Sequence, residues 1–168
     1  MGDDEVTDTA TKSKVQVTRV TGELAVKAIL PMMDEYWTVL GQDESFETRT
    51  RLRGCAAVRL VNNQMGHFVA ATEEAILGFL TIGFADVIRP DGLTAMLHDF
   101  YVRQDAGEDT VRASLMLYTE AQKWAENAHC RYIEATVSEC NPLADHMQRL
   151  GFEVRSSRYS KDIGDPDG

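Results

Sequence analysis

No stretch of this chain approaches the roughly 18 consecutive apolar residues that a helix needs to cross a bilayer, which excludes a helical membrane span. The amino terminus reads Gly2-Asp3-Asp4-Glu5 rather than a basic and then apolar leader, so a cytoplasmic protein with no membrane partner is expected. Cysteine is scarce. Cys55, Cys130 and Cys140 are odd in number and lack metal-ligand spacing, which excludes a disulfide framework and a zinc site; no metal is expected. Positive charge is also short: 17 Lys and Arg stand against 27 Asp and Glu, a net charge of −10, with the basic residues scattered. A phosphate-backbone partner needs a basic patch, so nucleic acid is excluded, whereas a cationic amine would suit the field.

What is present describes one compact domain. At 168 residues, 43% hydrophobic and 26% charged, the chain can bury a sizeable core. Residues 1–14 are polar, acidic and threonine-rich, and 164–168 read Gly-Asp-Pro-Asp-Gly; both are expected to be mobile tails around a single domain at 15–163.

Residues 15–20 alternate like a strand, and 23–40 place Leu24, Ala25, Ala28, Ile29, Met32, Met33, Tyr36 and Leu40 at helical spacing. Gly41 stops that helix. Asp43 and Ser45 offer caps for a second helix at 46–61. Strands follow at 67–71, 75–88 and 93–102, the last two joined by a Pro90-Asp91-Gly92 turn. A helix at 109–128, a strand at 132–137, a helix at 142–150 and a strand at 152–160 complete the order β-α-α-β-β-β-α-β-α-β.

The most informative segment is 97–116, where an apolar strand runs through a polar turn directly into a helix. Backbone N–H groups at a helix start lack intrahelical acceptors and carry partial positive charge, so this is a phosphate-site layout. Further on come Asn141-Pro142-Leu143-Ala144 and then Gly151-Phe152.

Together these features resemble the GNAT N-acetyltransferase family, over roughly residues 15–163. The resemblance implies an α/β (α+β) GNAT fold, with a mixed, mostly antiparallel central sheet of about six to seven strands flanked by about four helices. It implies acetyl-CoA as co-substrate, its arm pairing with the backbone of Phe100, Tyr101 and Val102. It implies pyrophosphate binding at a Q/R-x-x-G-x-G/A turn, and contact with or capping by Asn141.

The turn departs from that pattern. If Val102 sets the register, the motif falls on Gly107, Glu108, Asp109, Thr110, Val111 and Arg112, with Thr110 and Arg112 in the glycine positions. If Gln104 begins it, Gln104, Gly107 and Asp109 take the specified positions; if Trp124 sets it, the motif shifts to 109–114. No register restores both glycines, which serve to let an N–H approach phosphate without a Cβ in the way. Glu108 and Asp109 have the wrong sign for a phosphate but the right one for capping a helix dipole, while Arg103 and Arg112 are expected to reach phosphates if the turn binds them.

Acyl transfer to an amine requires a base for the ammonium, stabilisation of the oxyanion and a proton for the departing thiolate. Family members often supply that proton from a tyrosine four residues before the Gly-Phe pair. Here that position is Met147, so His146, Tyr118 or water takes the role, with Tyr159 a weaker candidate. For the base, His98 and Asp99 lie just before the arm-pairing segment; they face opposite ways unless a bulge intervenes, and His98 is favoured because its reference pKa is near 6.5. Asp34, Glu35, Tyr36, Trp37, Asp43 and Glu44 form an acidic and aromatic rim on the first two helices that suits a cationic amine.

The expected activity is acetyl transfer from acetyl-CoA to a primary amine of a small molecule or peptide, by direct attack in a ternary complex. The alternatives are a GNAT-fold protein that binds acyl-CoA without transfer and a regulatory or structural protein with a vestigial cleft. A homodimer is compatible with all three.

Overall fold

The computed structural model describes residues 14–41, 45–85, 90, 92–136, 147 and 149–152. Its elements are β1 (Gln16–Arg19), α1 (Gly22–Val39), α2 (Phe46–Leu60), β2 (Gly66–Ala71), β3 (Ile76–Phe84), β4 (Leu93–Val102), a single 3-10 turn at Gln104–Ala106, α3 (Glu108–Asn127) and β5 (Cys130–Ala135). The five strands form one sheet in chain order. Every pairing is antiparallel except β4 with β5, because α3 carries the chain back across the sheet between them.

This is the expected mixed α+β architecture, with five strands and three α-helices among the described residues. The helix expected at 142–150 and the strand at 152–160 fall almost wholly outside them. Within them, the amides of Leu150 and Phe152 close a turn on the Met147 carbonyl. β3 is Ile76–Phe84, and residues 86–89 of the expected 75–88 strand and its turn, with Asp91, lie outside the described residues; β5 begins at Cys130, two residues before the expected 132. His129 adopts φ 57°, so α3 is broken off sharply and Cys130 pairs at once with Leu93. On α2, Ser45 is the cap, accepting from the Thr48 amide at 3.3 Å; Asp43 lies outside the described residues.

Each face of the sheet buries its own core, as alternation requires. Phe68, Leu80, Ile82, Ala95, Leu97, Phe100 and Val102 pack under Ala113, Leu117 and Ala121 of α3. On the other face Val69, Phe79 and Tyr101 pack under Ile29, Met33 and Trp37 of α1 and Leu60 of α2. Among the described residues, no helix is long and apolar enough to cross a membrane.

A polar row runs across the α1/α2 face. His67 on β2 stands opposite Thr81 on β3, which stands opposite Asp99 on β4. His67 is fully buried, and neither ring nitrogen has a hydrogen-bond partner among the described residues. Burial pushes its pKa below the ordinary 6.5, opposed in part by the nearby backbone of Asn62. The unfolded chain therefore binds this proton more readily than the fold does. Stability is complete above pH 6.5 and falls as the pH drops from there through the lower pKa of the folded state. Urea titrations between pH 7.5 and 5 should show that decline, and His67→Leu should remove the part that His67 causes.

Candidate active site

The site is built where β4 leaves β5. Among the described residues, parallel pairing between them runs as far as Leu97 with Ala135, and Asp99 to Val102 pair with β3. At the fork lies a cavity of about 10 Å³, room for one water, lined by Tyr36 of α1, Leu97, His98 and Phe100 of β4, Thr136 just after β5, and Met147.

A bulge fixes the chemistry of the fork. Ile82 pairs with Leu97 and Thr81 with Asp99, leaving His98 as the extra residue on β4. Ala95 and Leu97 before it, and Phe100 and Val102 after it, all face the α3 core. His98 and Asp99 therefore share the opposite face. Asp99 is tied to Thr81 on that side, and a Cβ built on Gly83, two residues along, would lie 3.1 Å from His98 Nε2. The imidazole occupies the space that a side chain at position 83 would need. Sequence alternation sets the two residues apart; the bulge brings them together.

Asp99 is the better-tethered of the pair. Its Oδ2 accepts from Thr81 Oγ1 at 2.9 Å and from Arg59 Nη2 of α2 at 2.8 Å. His98, by contrast, lines the cavity. Arg59, Thr81 and Gly83 are not legible as site residues in the sequence: they come from three different elements, and no short-range spacing links any of them to His98.

The turn after β4 is shaped by one glycine. Gln104–Ala106 make the 3-10 turn, Gly107 sits at φ 59° and ψ −127°, and α3 starts at Glu108. That backbone conformation is open to glycine and strained for other residues. Of the three registers, the one starting at Gln104 coincides with the helix start, with Gly107 at the turn and Asp109 in the first helical turn. Thr110 is turned inward, its Oγ1 donating to the Arg103 carbonyl at 2.8 Å and its amide to the Gly107 carbonyl at 3.2 Å. Val111 and Arg112 are exposed, and Arg112 Nη1 lies 3.4 Å from Asp109 Oδ1. Nothing lies within 4 Å of a Cβ built on Gly107, so the turn opens onto free space.

Arg103 is committed elsewhere. Its Nε and Nη2 donate to the two carboxylate oxygens of Glu35, and Nη1 donates to the Ile76 carbonyl at 3.1 Å, pinning α1 to the end of the sheet. The bonds from Arg103 hold the Glu35 carboxyl below the usual carboxylate range.

Tyr118 lies on α3, half-buried, its ring 5.5 Å from that of Phe152, and burial raises its hydroxyl pKa. It is not among the residues that line the cavity. Met147, in the family's tyrosine position, does line it and is buried. His146, Asn141, Asp43 and Glu44 lie outside the described residues. Among the described residues, no group of three or more His, Cys, Asp or Glu side chains is placed to hold a metal ion.

A mixed α+β fold with a glycine turn opening the helix after β4 is what the geometry defines, and comparison with known proteins assigns its family. The model of the Acetyltransferase (GNAT) family matches residues 26–152, so the chain belongs to the GNAT acetyltransferases. Among solved structures, a Pyrococcus furiosus protein assigned to the acetyl transferases superposes with a TM-score of 0.73 at 20% identity, over 89% of this chain and 100% of its own. A Clostridium acetobutylicum protein assigned as an acetyltransferase and solved with acetyl-CoA gives 0.72 at 11% identity, over 89% and 97%. An aminoglycoside acetyltransferase from an uncultured soil metagenomic sample, solved in complex with sisomicin, gives 0.67 at 16% identity, over 89% and 97%. At these identities the likeness is one of fold. A search among curated proteins gives no sequence match.

Proposed function

We propose that this chain is a single-domain N-acetyltransferase, spanning residues 15–163, that uses acetyl-CoA to acetylate a primary amine of a small molecule or peptide by direct attack. The observation that carries the reading is the run of β4 from His98 to Val102, past its described pairing with β5, leading from a histidine at the cavity to a glycine turn at the start of α3. These residues fit the group. The backbone N–H and C=O groups of a strand are the kind that pair with an amide-containing arm. The Gly107 turn leaves open space beside a helix N-terminus, where a pyrophosphate is favoured.

Phe100, Tyr101 and Val102 would hold the arm, and Gly107 with the first turn of α3 the phosphates. Acetyl-CoA supplies an activated acyl group; the protein's task is to orient the acceptor and move protons. His98 accepts the ammonium proton of the acceptor, directly or through a water in the cavity, so that the free amine attacks. Met147 holds the family's acid position with a side chain that donates no proton. The departing sulfur therefore takes its proton from His146, Tyr118 or water.

Calorimetric titration with acetyl-CoA, and with desulfo-CoA as a non-reactive probe, tests the reading. Native protein should bind at micromolar concentration. Asp109→Asn should tighten binding about fivefold, the ~1 kcal/mol that one unit charge about 4 Å away is worth in water. Binding without turnover across an amine panel would favour the second reading, an acyl-CoA-binding protein, for which Met147 in the tyrosine position speaks. Binding only after Glu108→Gly with Asp109→Lys would mean that the native carboxylates close the phosphate site.

A further inference from the structure

The charges on the acceptor side of the fork differ from those the sequence leads one to expect. Asp34 and Glu35 read as an acidic rim for a cation, but both are paired. Asp34 lies 3.3 Å from Arg53 and 4.0 Å from Arg49, and Glu35 takes two bonds from Arg103. Asp99, beside His98, is held by Arg59. Three carboxylates thus face four guanidinium groups, in a chain with 27 acidic and 17 basic residues. An arginine-rich, neutralised face repels a polycation and favours an anion.

Arg59 is the member of this set nearest the chemistry, through its bond to the neighbour of His98. That bond uses Nη2 and a single carboxylate oxygen, Oδ2, which Thr81 shares. Arg59 Nε is buried and has no hydrogen-bond partner among the described residues, although the side chain as a whole is 36% exposed. A charged N–H without an acceptor is unfavourable, and a guanidinium presents its donors as a planar fork that matches a carboxylate. Among the described residues, Arg59 is thus an imperfectly satisfied cation held on the carboxylate next to His98 in the chain, and is suited to bind an anionic group of the acceptor.

We propose that the acceptor is an amine that also carries a carboxylate, of the amino-acid type, and that Arg59 is the specificity-determining residue that binds this carboxylate while His98 takes the proton from the amine. The inference rests on the acetyl-transfer reading above and narrows its substrate class. No covalent step is added: Arg59 contributes charge and hydrogen bonds, and its proton count does not change.

The test is a rate panel with acetyl-CoA. The acceptors are several L-amino acids, each with its amide and its decarboxylated amine, together with spermidine as a polycation. Native protein should prefer the carboxylate form over the matched amide and amine by at least about tenfold in kcat/KM, the scale of one charge-assisted hydrogen bond. Because Arg59→Gln alone would strand Asp99, the informative variant is Arg59→Gln with Asp99→Asn, checked for native circular dichroism and melting. In it the preference should vanish through KM, while Asp99→Asn alone should keep it. Preference for spermidine, the amides or the decarboxylated amines overturns the proposal, as does a preference that survives in the double variant.

If nothing in the panel is acetylated, the transfer reading fails and a binding measurement still decides this one. In protein saturated with desulfo-CoA, the Arg59 Nε–H resonance should move on adding amino acids and stay fixed on adding their amides. A resonance that moves with neither, or with both alike, overturns it.

Discussion

His98→Ala should lower kcat/KM for acetyl transfer by about 100- to 10,000-fold, the usual range for losing a positioned general base. The imidazole lines the cavity at the β4–β5 fork and is packed over Gly83, so its removal deletes the proton acceptor without opening the core. The loss should fall on kcat/KM far more than on acetyl-CoA affinity, because the β4 edge and the Gly107 turn are untouched. In the pH profile, the limb on the acidic side should flatten. Asp99→Asn is the discriminating comparison: its carboxylate is already committed to Arg59 and Thr81, and the amide keeps the oxygen that accepts from both. It should therefore cost much less than His98→Ala, and the reverse ranking would transfer the base role to Asp99. Steady-state rates with calorimetric acetyl-CoA affinities measured in parallel would distinguish the two.

Phe79→Ala should destabilise the fold by about 3–5 kcal/mol, at the upper end for single core truncations. Phe79 is fully buried in the middle of β3, and its ring sits 6.1 Å from Tyr36 and 6.3 Å from Tyr101, which are themselves 5.6 Å apart. Removing it opens a cavity at the junction of α1 and the sheet. Equilibrium urea unfolding should show a lower midpoint with unchanged slope, and the melting temperature should fall by about 10 °C or more for a chain of this size. The effect should reach function in protein that is still folded, because Tyr36 is both part of this aromatic cluster and a wall of the fork cavity. A stability loss below about 1 kcal/mol would mean that the cluster collapses to fill the space.

The same triad explains why part of the site was legible in advance. Phe79 and Tyr101 belong to strands whose alternation is plain, Tyr36 belongs to a helix whose apolar spacing is plain, and periodicity determines which face each side chain presents. The expected β4, residues 93–102, agrees with the observed strand at both ends. The start of α3 was read within one residue, from the polar turn that precedes it. Gly107 stood out because it is the one glycine in that turn, and the structure supplies the reason in its φ of 59°.

What periodicity could not supply was the register between strands. The bulge at His98 is a property of how β4 pairs with β3, and nothing within β4 marks it. Yet it decides whether His98 and Asp99 point apart or stand side by side. Charge pairing lay equally out of reach. Glu35 with Arg103 and Asp99 with Arg59 are separated by 68 and 40 positions, so acids that look like an open rim along the chain become paired once α1 and α2 pack on the sheet.

The sequence by itself determined the elements, their order and the strand-turn-helix on which the candidate cofactor site is built, because backbone propensity, side-chain spacing and turn chemistry act over a few residues. Only the tertiary structure decided how far β4 pairs with β5, that His98 and Asp99 share a face, and which acids are paired with arginines. Those outcomes depend on distances between segments far apart in the chain, and such distances exist only once the two cores have closed on the sheet.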